Sequence, residues 1–495
     1  MSVQPGAVVP EQGLGHRVGR GLGWSFLNNV VSRLGSLLSG IVLARLLAPA
    51  DFGVFAVALV VLNAGLSMNE LGVSLAVVRW QEGIERIAPT VTTLALGWSV
   101  LLYGICYFSA PMLASSLNAP DAAPLIRVLS LAILLDAIAC VCAALITRHF
   151  MQRTRMAIDS ISFVVGTSVS IVLAVNGMGA WCIVWGFLVT SAVCTVLTIA
   201  WAPARYLPGF DGEAARSLLA FGLPLAGSSI LVFLMVNVDY VVVGRLLGSE
   251  ALGFYLLAFN LCSWPVALIS VAVRRVSLAG FSRIADEPWR AGAAFSRAAG
   301  LILAVTLPLC AVLAGYAPAV ITFLYGEKWI PSADALRLLC VLGAARVAVE
   351  LAYDYLVAVG RTTSNFAVQV LWLLLLVPAL VVGANRGGIL GVAAGHAVIA
   401  GLVIGPVYAV ALRRAHVSLR SLARESLRPV LAAALVFGAA LLVLSAVDGV
   451  FAQLAVGGVV TVVLAGSVLA PLWHKARAAL AVEQPSSTAS SAGLA

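Results

Sequence analysis

Along most of this chain the apolar positions neither alternate nor keep to one helical stripe. They run on for about 20 residues at a time, long enough to cross about 30 Å of hydrocarbon as a helix. A strand-built barrel would alternate instead. The runs predict an all-α polytopic membrane protein of about fourteen spans: 24–46, 52–78, 88–110, 124–147, 156–176, 180–202, 218–244, 251–274, 297–318, 333–357, 363–384, 388–412, 429–447 and 450–473. The opening MSVQPGAVVPEQGLGHRVGR holds no apolar core of a cleavable leader, so the run from Trp24 is predicted as a retained span.

The spans fall into two matching sets. ARLLAPADFGVF (44–55) ends the first span and opens the second, and GRLLGSEALGFY (244–255) does the same for the seventh and eighth. Arg45, Leu46, Leu47 and Gly53 align with Arg245, Leu246, Leu247 and Gly253, and Gly65 falls opposite Pro265. PLIRVLSLA (124–132) and ALRLLCVLG (335–343) extend the match to the fourth and tenth spans. An even number of spans separates the copies, so both insert the same way up, as a parallel repeat. The organisation that follows is a cytoplasmic tail (1–23), a lobe (24–202), a linker (203–217), a second lobe (218–412), a basic linker (413–428), two unmatched spans (429–474) and a disordered tail (475–495).

Composition narrows the class. The chain is 62% hydrophobic and 10% charged, with mean hydropathy +1.05, which excludes a soluble domain. With both termini cytoplasmic, most of the 30 Lys and Arg residues lie in inner segments, and this loop asymmetry accounts for the net charge of +9 without nucleic acid. The protein is expected in the cell membrane, multi-pass. All eight cysteines fall within spans and none forms a CxxC pair, so they read as small packing residues; no metal site is expected. Scattered histidines and short outer loops argue against a membrane enzyme.

NVDYVVVGRLLGSEALGFYLLAFNL (237–261), LARLLAPADFGVFAVA at the first span and GMGAWCIVWG (177–186) resemble the Wzx-type flippases, the polysaccharide-transporter branch of the multidrug/oligosaccharidyl-lipid/polysaccharide exporter superfamily. The resemblance covers roughly residues 20–412, and the last two spans fit the fourteen-helix members. It implies two lobes about a central cavity that move an undecaprenyl-diphosphate-linked oligosaccharide between leaflets by alternating access. A polysaccharide polymerase and glycosyltransferases are the partners it implies, besides membrane lipids. A multidrug or small-cation exporter of the same superfamily is the rival, and it would rest on carboxylates rather than intramembrane arginine.

Charges placed in hydrocarbon cost at least about 2.5 kcal/mol each on insertion scales, so they mark wet cavities or paired partners. Arg33 lies at mid-depth with Asn29 and Ser36 on the same helix face. It is a candidate contact for a diphosphate, or else a structural pair with a carboxylate. Arg346, Glu350 and Asp354 follow at helical spacing on the tenth span. Arg346 is a second diphosphate candidate, unless Arg346 and Glu350 simply neutralise each other. Glu350, Asp354, Asp136, Asp239 and Glu70 are candidates for gating or for coupling to a proton or sodium gradient; no cofactor is expected. In the repeat Asp136 falls opposite Arg346, and an ion pair between lobes is one option. Glu70 sits either in a broken helix or at the cytoplasmic interface, and Asp239 lies near the outer face. Arg45 and Arg245 read as interfacial anchors.

Overall fold

A computed structural model describes residues 11–69, 84–284 and 286–482. Every long element among them is a helix. In order these are α1 (Glu11–Leu46), α2 (Pro49–Asn69), α3 (Ile84–Ser116), α4 (Ala122–Leu129), α5 (Leu131–Arg148), α6 (Gln152–Val175), α7 (Trp181–Trp201) and α8 (Gly212–Leu247). There follow α9 (Ser249–Ser282), α10 (Pro288–Gly315), α11 (Ala317–Tyr325), α12 (Ser332–Ala358), α13 (Thr362–Val398), α14 (Gly405–Arg414), α15 (Leu419–Ala446) and α16 (Val450–Val482).

Ten helical segments among the described residues are long and apolar enough to cross a membrane. α12 is not among them, because Asp334, Arg337, Arg346, Glu350 and Asp354 all fall on it. α13 contains a break at Gly387 and Gly388. The positive φ of Gly388, 56°, is a left-handed conformation that favours glycine, and there two helical stretches join across a kink. A π-helical stretch, Ile399–Ile404, precedes Pro406 at the start of α14. Proline has no N–H to donate, and the wider turn takes up the register that it disturbs.

Several helices outrun the apolar spans. α1 begins at Glu11 within the segment read as a tail, α8 at Gly212 within the linker, and α15 at Leu419 within the basic linker. α16 continues to Val482. Capping, rather than hydropathy, sets two of these starts. The Asp211 carboxylate accepts the amides of Glu213 and Ala214 at 3.0 and 3.2 Å, and Ser418 Oγ accepts Ser421 N–H at 3.3 Å. Residues 1–10 and 483–495 of the predicted tails lie outside the described residues.

The helices form two compact units, residues 1–257 with 384–389, and 258–383 with 390–495. In the first, α6 and α7 meet through small residues. A β-carbon on Gly166 would stand 2.6 Å from the carbonyl oxygen of Gly186, and one on Gly186 would stand 2.9 Å from that of Gly166. Lipid tails are as apolar as leucine, so close backbone approach supplies the cohesion that burial supplies in water. The linker is fastened to the start of α3. Gly209 N–H donates to Pro89 O at 3.2 Å, Thr93 Oγ1 donates to Gly209 O at 2.7 Å, and Asp211 N–H donates to Thr90 Oγ1 at 3.0 Å. Arg86 completes this clasp, reaching Asp211 at 2.6 Å and Glu213 at 3.2 Å.

In the second unit Phe281, Phe295 and Tyr355 form a buried aromatic cluster, with the Phe281 and Tyr355 rings edge to face at 5.4 Å. The Tyr355 hydroxyl donates to Ala415 O at 2.9 Å, tying α12 to the end of α14. α15 lies along α10, where a β-carbon on Gly300 would meet the Glu425 carbonyl oxygen at 3.1 Å. Six of the eight cysteines are buried, as expected for packing residues.

Candidate functional site

The doubled phrase brings its own copies together. α2 and α9 each begin immediately after the helix that carries the matched arginine, α1 or α8. A β-carbon on Gly53 would overlap the carbonyl oxygen of Ser249, and one on Gly253 would overlap that of Pro49. Ser249 is the repeat partner of Pro49, so each copy offers the other the same contact. Arg45 and Arg245 stand exposed in the last turns of α1 and α8, where a cation complements the helix dipole.

Asp51 braces this junction. Pro49 occupies the first helical position of α2, and the Asp51 carboxylate two residues on reaches back to the Ala48 amide at 3.1 Å. Its other oxygen accepts the Ala180 amide at 3.1 Å, so one side chain joins α2 to the GMGAW turn before α7. On the other copy Asp239 is buried, at 1% exposure, and accepts the Tyr255 hydroxyl at 3.0 Å. That places Asp239 in a bond between α8 and α9.

A cavity of about 290 Å³ opens within the first unit, walled by α2, α5, α6 and α7. Asp136 and Asp159 line it, each held by an asparagine from another helix: Asn69 Nδ2 donates to Asp136 at 3.0 Å, and Asn28 Nδ2 donates to Asp159 at 2.8 Å. Arg155, which also lines it, stands 3.9 Å from Asp159. Thr190, Ser191 and Thr195 contribute hydroxyls. No group of three or more His, Cys, Asp or Glu side chains with metal-binding geometry occurs among the described residues. Asp136 takes its hydrogen bond from Asn69 and forms no ion pair among the described residues.

In the second unit Arg337 pairs with Asp334 at 3.1 Å in the first turns of α12, and the charges further along the helix behave differently. No ion pair joins Arg346 to Glu350 or to any other carboxylate among the described residues, although the two sit one turn apart. Glu350 Oε2 is buried without a hydrogen-bond partner there, as is Nδ1 of His396. Arg346 is half-buried and within electrostatic reach of His396. Asp354 is buried.

Arg33 is exposed on α1, as is Asn29. Asn28 and Gly35, seven residues apart on α1, both face α6, where Asn28 binds Asp159 and Gly35 abuts Phe163. At 100° per residue Arg33 points roughly opposite, away from that contact. Asn29 Nδ2 donates to Ser25 O, one turn back, at 3.3 Å. Glu70 lies outside the described residues. The predicted site residues therefore fall into separate groups: Arg33 and Asn29 on one helix face, Asp136 in the cavity, Asp239 at the repeat junction, and Arg346, Glu350 and Asp354 on α12.

Asp51, Asn28, Asn69, Asp159 and His396 were not among the residues predicted. Polar side chains inside apolar runs were the available signal, as in Thr190, Ser191, Thr195 and Thr198 of WCIVWGFLVTSAVCTVLTIAW, and Arg155 and Asp159 at i, i+4.

Residues 42–334 match the family model described as polysaccharide biosynthesis protein. The lipopolysaccharide biosynthesis protein WzxC of Escherichia coli K12 is 27% identical over 76% of this chain and 77% of its own length. The succinoglycan biosynthesis transport protein ExoT of Rhizobium meliloti is 28% identical over 70% of each chain. The teichuronic acid biosynthesis protein TuaB of Bacillus subtilis is 27% identical over 67% of this chain and 69% of its own. Among solved structures, the lipid II flippase MurJ in an inward closed conformation superposes with a TM-score of 0.74 at 15% identity, over 90% of this chain and 98% of that one. An inward-facing multidrug resistance MATE family transporter of the MOP superfamily gives 0.59 at 18% identity, over 77% and 96%. The fold is thus of the MurJ and MATE kind, and one of these relatives is named as a transport protein.

Proposed function

For a chain that belongs to the polysaccharide biosynthesis protein family, a multi-pass protein of the cell membrane, we propose the role of a flippase for undecaprenyl-diphosphate-linked oligosaccharide. It carries the lipid-linked glycan from the inner to the outer leaflet by alternating access, for assembly of a surface polysaccharide. The reading includes fourteen spans with both termini cytoplasmic, two lobes formed by the parallel repeat, and coupling to a proton or sodium gradient. A polymerase and glycosyltransferases act before and after it.

The observation that carries this reading is the exposed Arg33 and Asn29 on the face of α1 turned away from α6. A cation kept at membrane depth and off the packed face of its helix suits an anionic headgroup. Arg346, half-buried and without a carboxylate partner among the described residues, is the second diphosphate contact. The acidic cavity of the first unit favours the rival reading, a small-cation or multidrug exporter, and Arg33 separates the two.

The experiment is leaflet-resolved labelling of lipid-linked glycan in proteoliposomes. Wild type transfers the glycan, and Arg33→Ala loses at least about tenfold in rate, the worth of one charge-assisted contact. An exporter of cations would keep its transport in Arg33→Ala. Absence of protein-dependent glycan transfer by wild type, beside an active control flippase, overturns the proposal.

A further inference from the structure

The start of α15 carries three arginines on one face. Arg420, Arg424 and Arg428 recur every fourth residue, all three are exposed, and none makes an ion pair among the described residues. Like charges at this spacing repel one another. Arg420 also stands in the first turn, where a cation opposes the helix dipole, whereas Arg413 and Arg414 in the last turn of α14 complement theirs. Glu425, the one acidic residue of α15, gives no relief. It is turned to α10, its β-carbon 3.0 Å from where one on Gly300 would stand. Beyond the arginines the same face becomes apolar. At 100° per residue Leu431, Leu435 and Leu442 fall within the arc that holds the three arginines, and all three are exposed. The stretch from Leu431 to Leu442 covers about 16 Å of helix, half of a hydrocarbon core about 30 Å thick. Trp289 marks the depth at which the arginines stand. It is exposed at the start of α10 and meets the His416 ring at 5.2 Å, two residues before the Ser418 cap. Exposed tryptophan gathers at headgroup level.

A face that is cationic at headgroup level and apolar for the depth of one leaflet has the profile of a single anionic lipid. We infer that this face of α15 binds an anionic phospholipid of the phosphatidylglycerol class. Its phosphate is held by Arg420, Arg424 and Arg428, and an acyl chain lies along Leu431, Leu435 and Leu442. A track of one leaflet's depth fits a phospholipid chain and is short for an undecaprenyl chain. The bound lipid therefore stays in place as a fixture of the helix, apart from any cargo. Its phosphate cancels the repulsion that the arginines impose on the first turns of α15. That the lipid comes from the cytoplasmic leaflet rests on the topology of the flippase reading; the binding face itself does not.

The test counts lipids bound to the full chain by native mass spectrometry, in detergent titrated with phosphatidylglycerol or phosphatidylcholine. One phosphatidylglycerol is expected to saturate the protein at concentrations where phosphatidylcholine does not bind. Arg424→Gln raises the half-saturating concentration about fivefold, the worth of one basic side chain beside an anionic headgroup. The triple variant Arg420→Gln, Arg424→Gln, Arg428→Gln raises it about a hundredfold. Leu435→Asn, which keeps every charge, raises it several-fold. Arg290→Gln leaves it unchanged, because Glu287 already meets that charge at 3.3 Å. Equal loss in Arg290→Gln and Arg424→Gln would mean diffuse attraction to any basic end, and overturns the inference. Full displacement of the lipid by glycerol 3-phosphate would make this a site for free phosphate, and displacement by undecaprenyl diphosphate a site for the carrier. Displacement by polyglutamate would make it a contact for an acidic protein. Each of these also overturns the inference. No glycan enters this assay, so its failure is distinct from a failure of glycan transfer.

Discussion

Gly53 rests on the backbone carbonyl of Ser249 so closely that no β-carbon fits between them, and Gly253 stands in the same relation to Pro49. Gly53→Val or Gly253→Val forces the first turns of α2 and α9 apart. Each is expected to cost about 1–3 kcal/mol, the range for overpacking a tight contact. Because the two glycines share one interface, the double variant should lose less than the sum of the singles. Thermal unfolding of the four proteins in the cycle measures this, and strict additivity would show that the two contacts are independent.

Asp51 joins the start of α2 to the turn before α7 through two backbone amides. Asp51→Ala removes two charge-assisted hydrogen bonds and is expected to lower stability by about 1.5–3 kcal/mol. Asp51→Asn keeps an acceptor and should recover part of the loss. Hydrogen exchange at Ala48 and Ala180 is the local readout, and both amides should lose protection together.

Tyr255→Phe deletes one hydroxyl and leaves a buried carboxylate oxygen of Asp239 short of the donor it has at 3.0 Å. The expected cost is about 1.5–3 kcal/mol, the range for losing a hydrogen bond to a charged group. Asp239→Asn combined with Tyr255→Phe should cost less than Tyr255→Phe alone, because the neutral amide tolerates burial better. Equilibrium unfolding of the three variants decides it.

The clasp on the linker should respond to acid and to salt. The Arg86 hydrogen bond, with the amides of Ala214 and Glu213, holds the Asp211 carboxyl below the usual carboxylate range, and the same pairing raises Arg86. A carboxylate whose value is depressed on folding contributes stability that is fully present above its unfolded value, about 3.9. That contribution fades as the pH falls toward the folded value. The pair is solvent-exposed, so added salt weakens it as well. Proteolysis within 203–212 should therefore accelerate below about pH 4 and at high salt. Asp211→Asn should show the fast rate throughout.

What the sequence revealed tracks the range over which each signal acts. Continuous apolar runs and the matched ARLLAPADFGVF and GRLLGSEALGFY phrases are local, and the helices and the equivalence of α1–α2 with α8–α9 follow from them. Contact between the two phrases did not follow, because it is made by backbone carbonyls that carry no residue identity. The Asn28–Asp159 and Asn69–Asp136 bonds join helices distant in sequence, so neither partner marks the other. Helical spacing alone put Arg346 and Glu350 together, and packing kept them unpaired. Polar first turns hid the true starts of α8 and α15, where Asp211 and Ser418 cap the helices.

The reciprocal fit of Gly53 with Ser249 and of Gly253 with Pro49 has the form of an isologous interface, in which one surface serves both partners. One surface pattern thus serves both copies of the phrase within a single polypeptide. Each copy is free to diverge in everything except the surface it presents to the other. Drift in one half at this spot must then be answered in its twin.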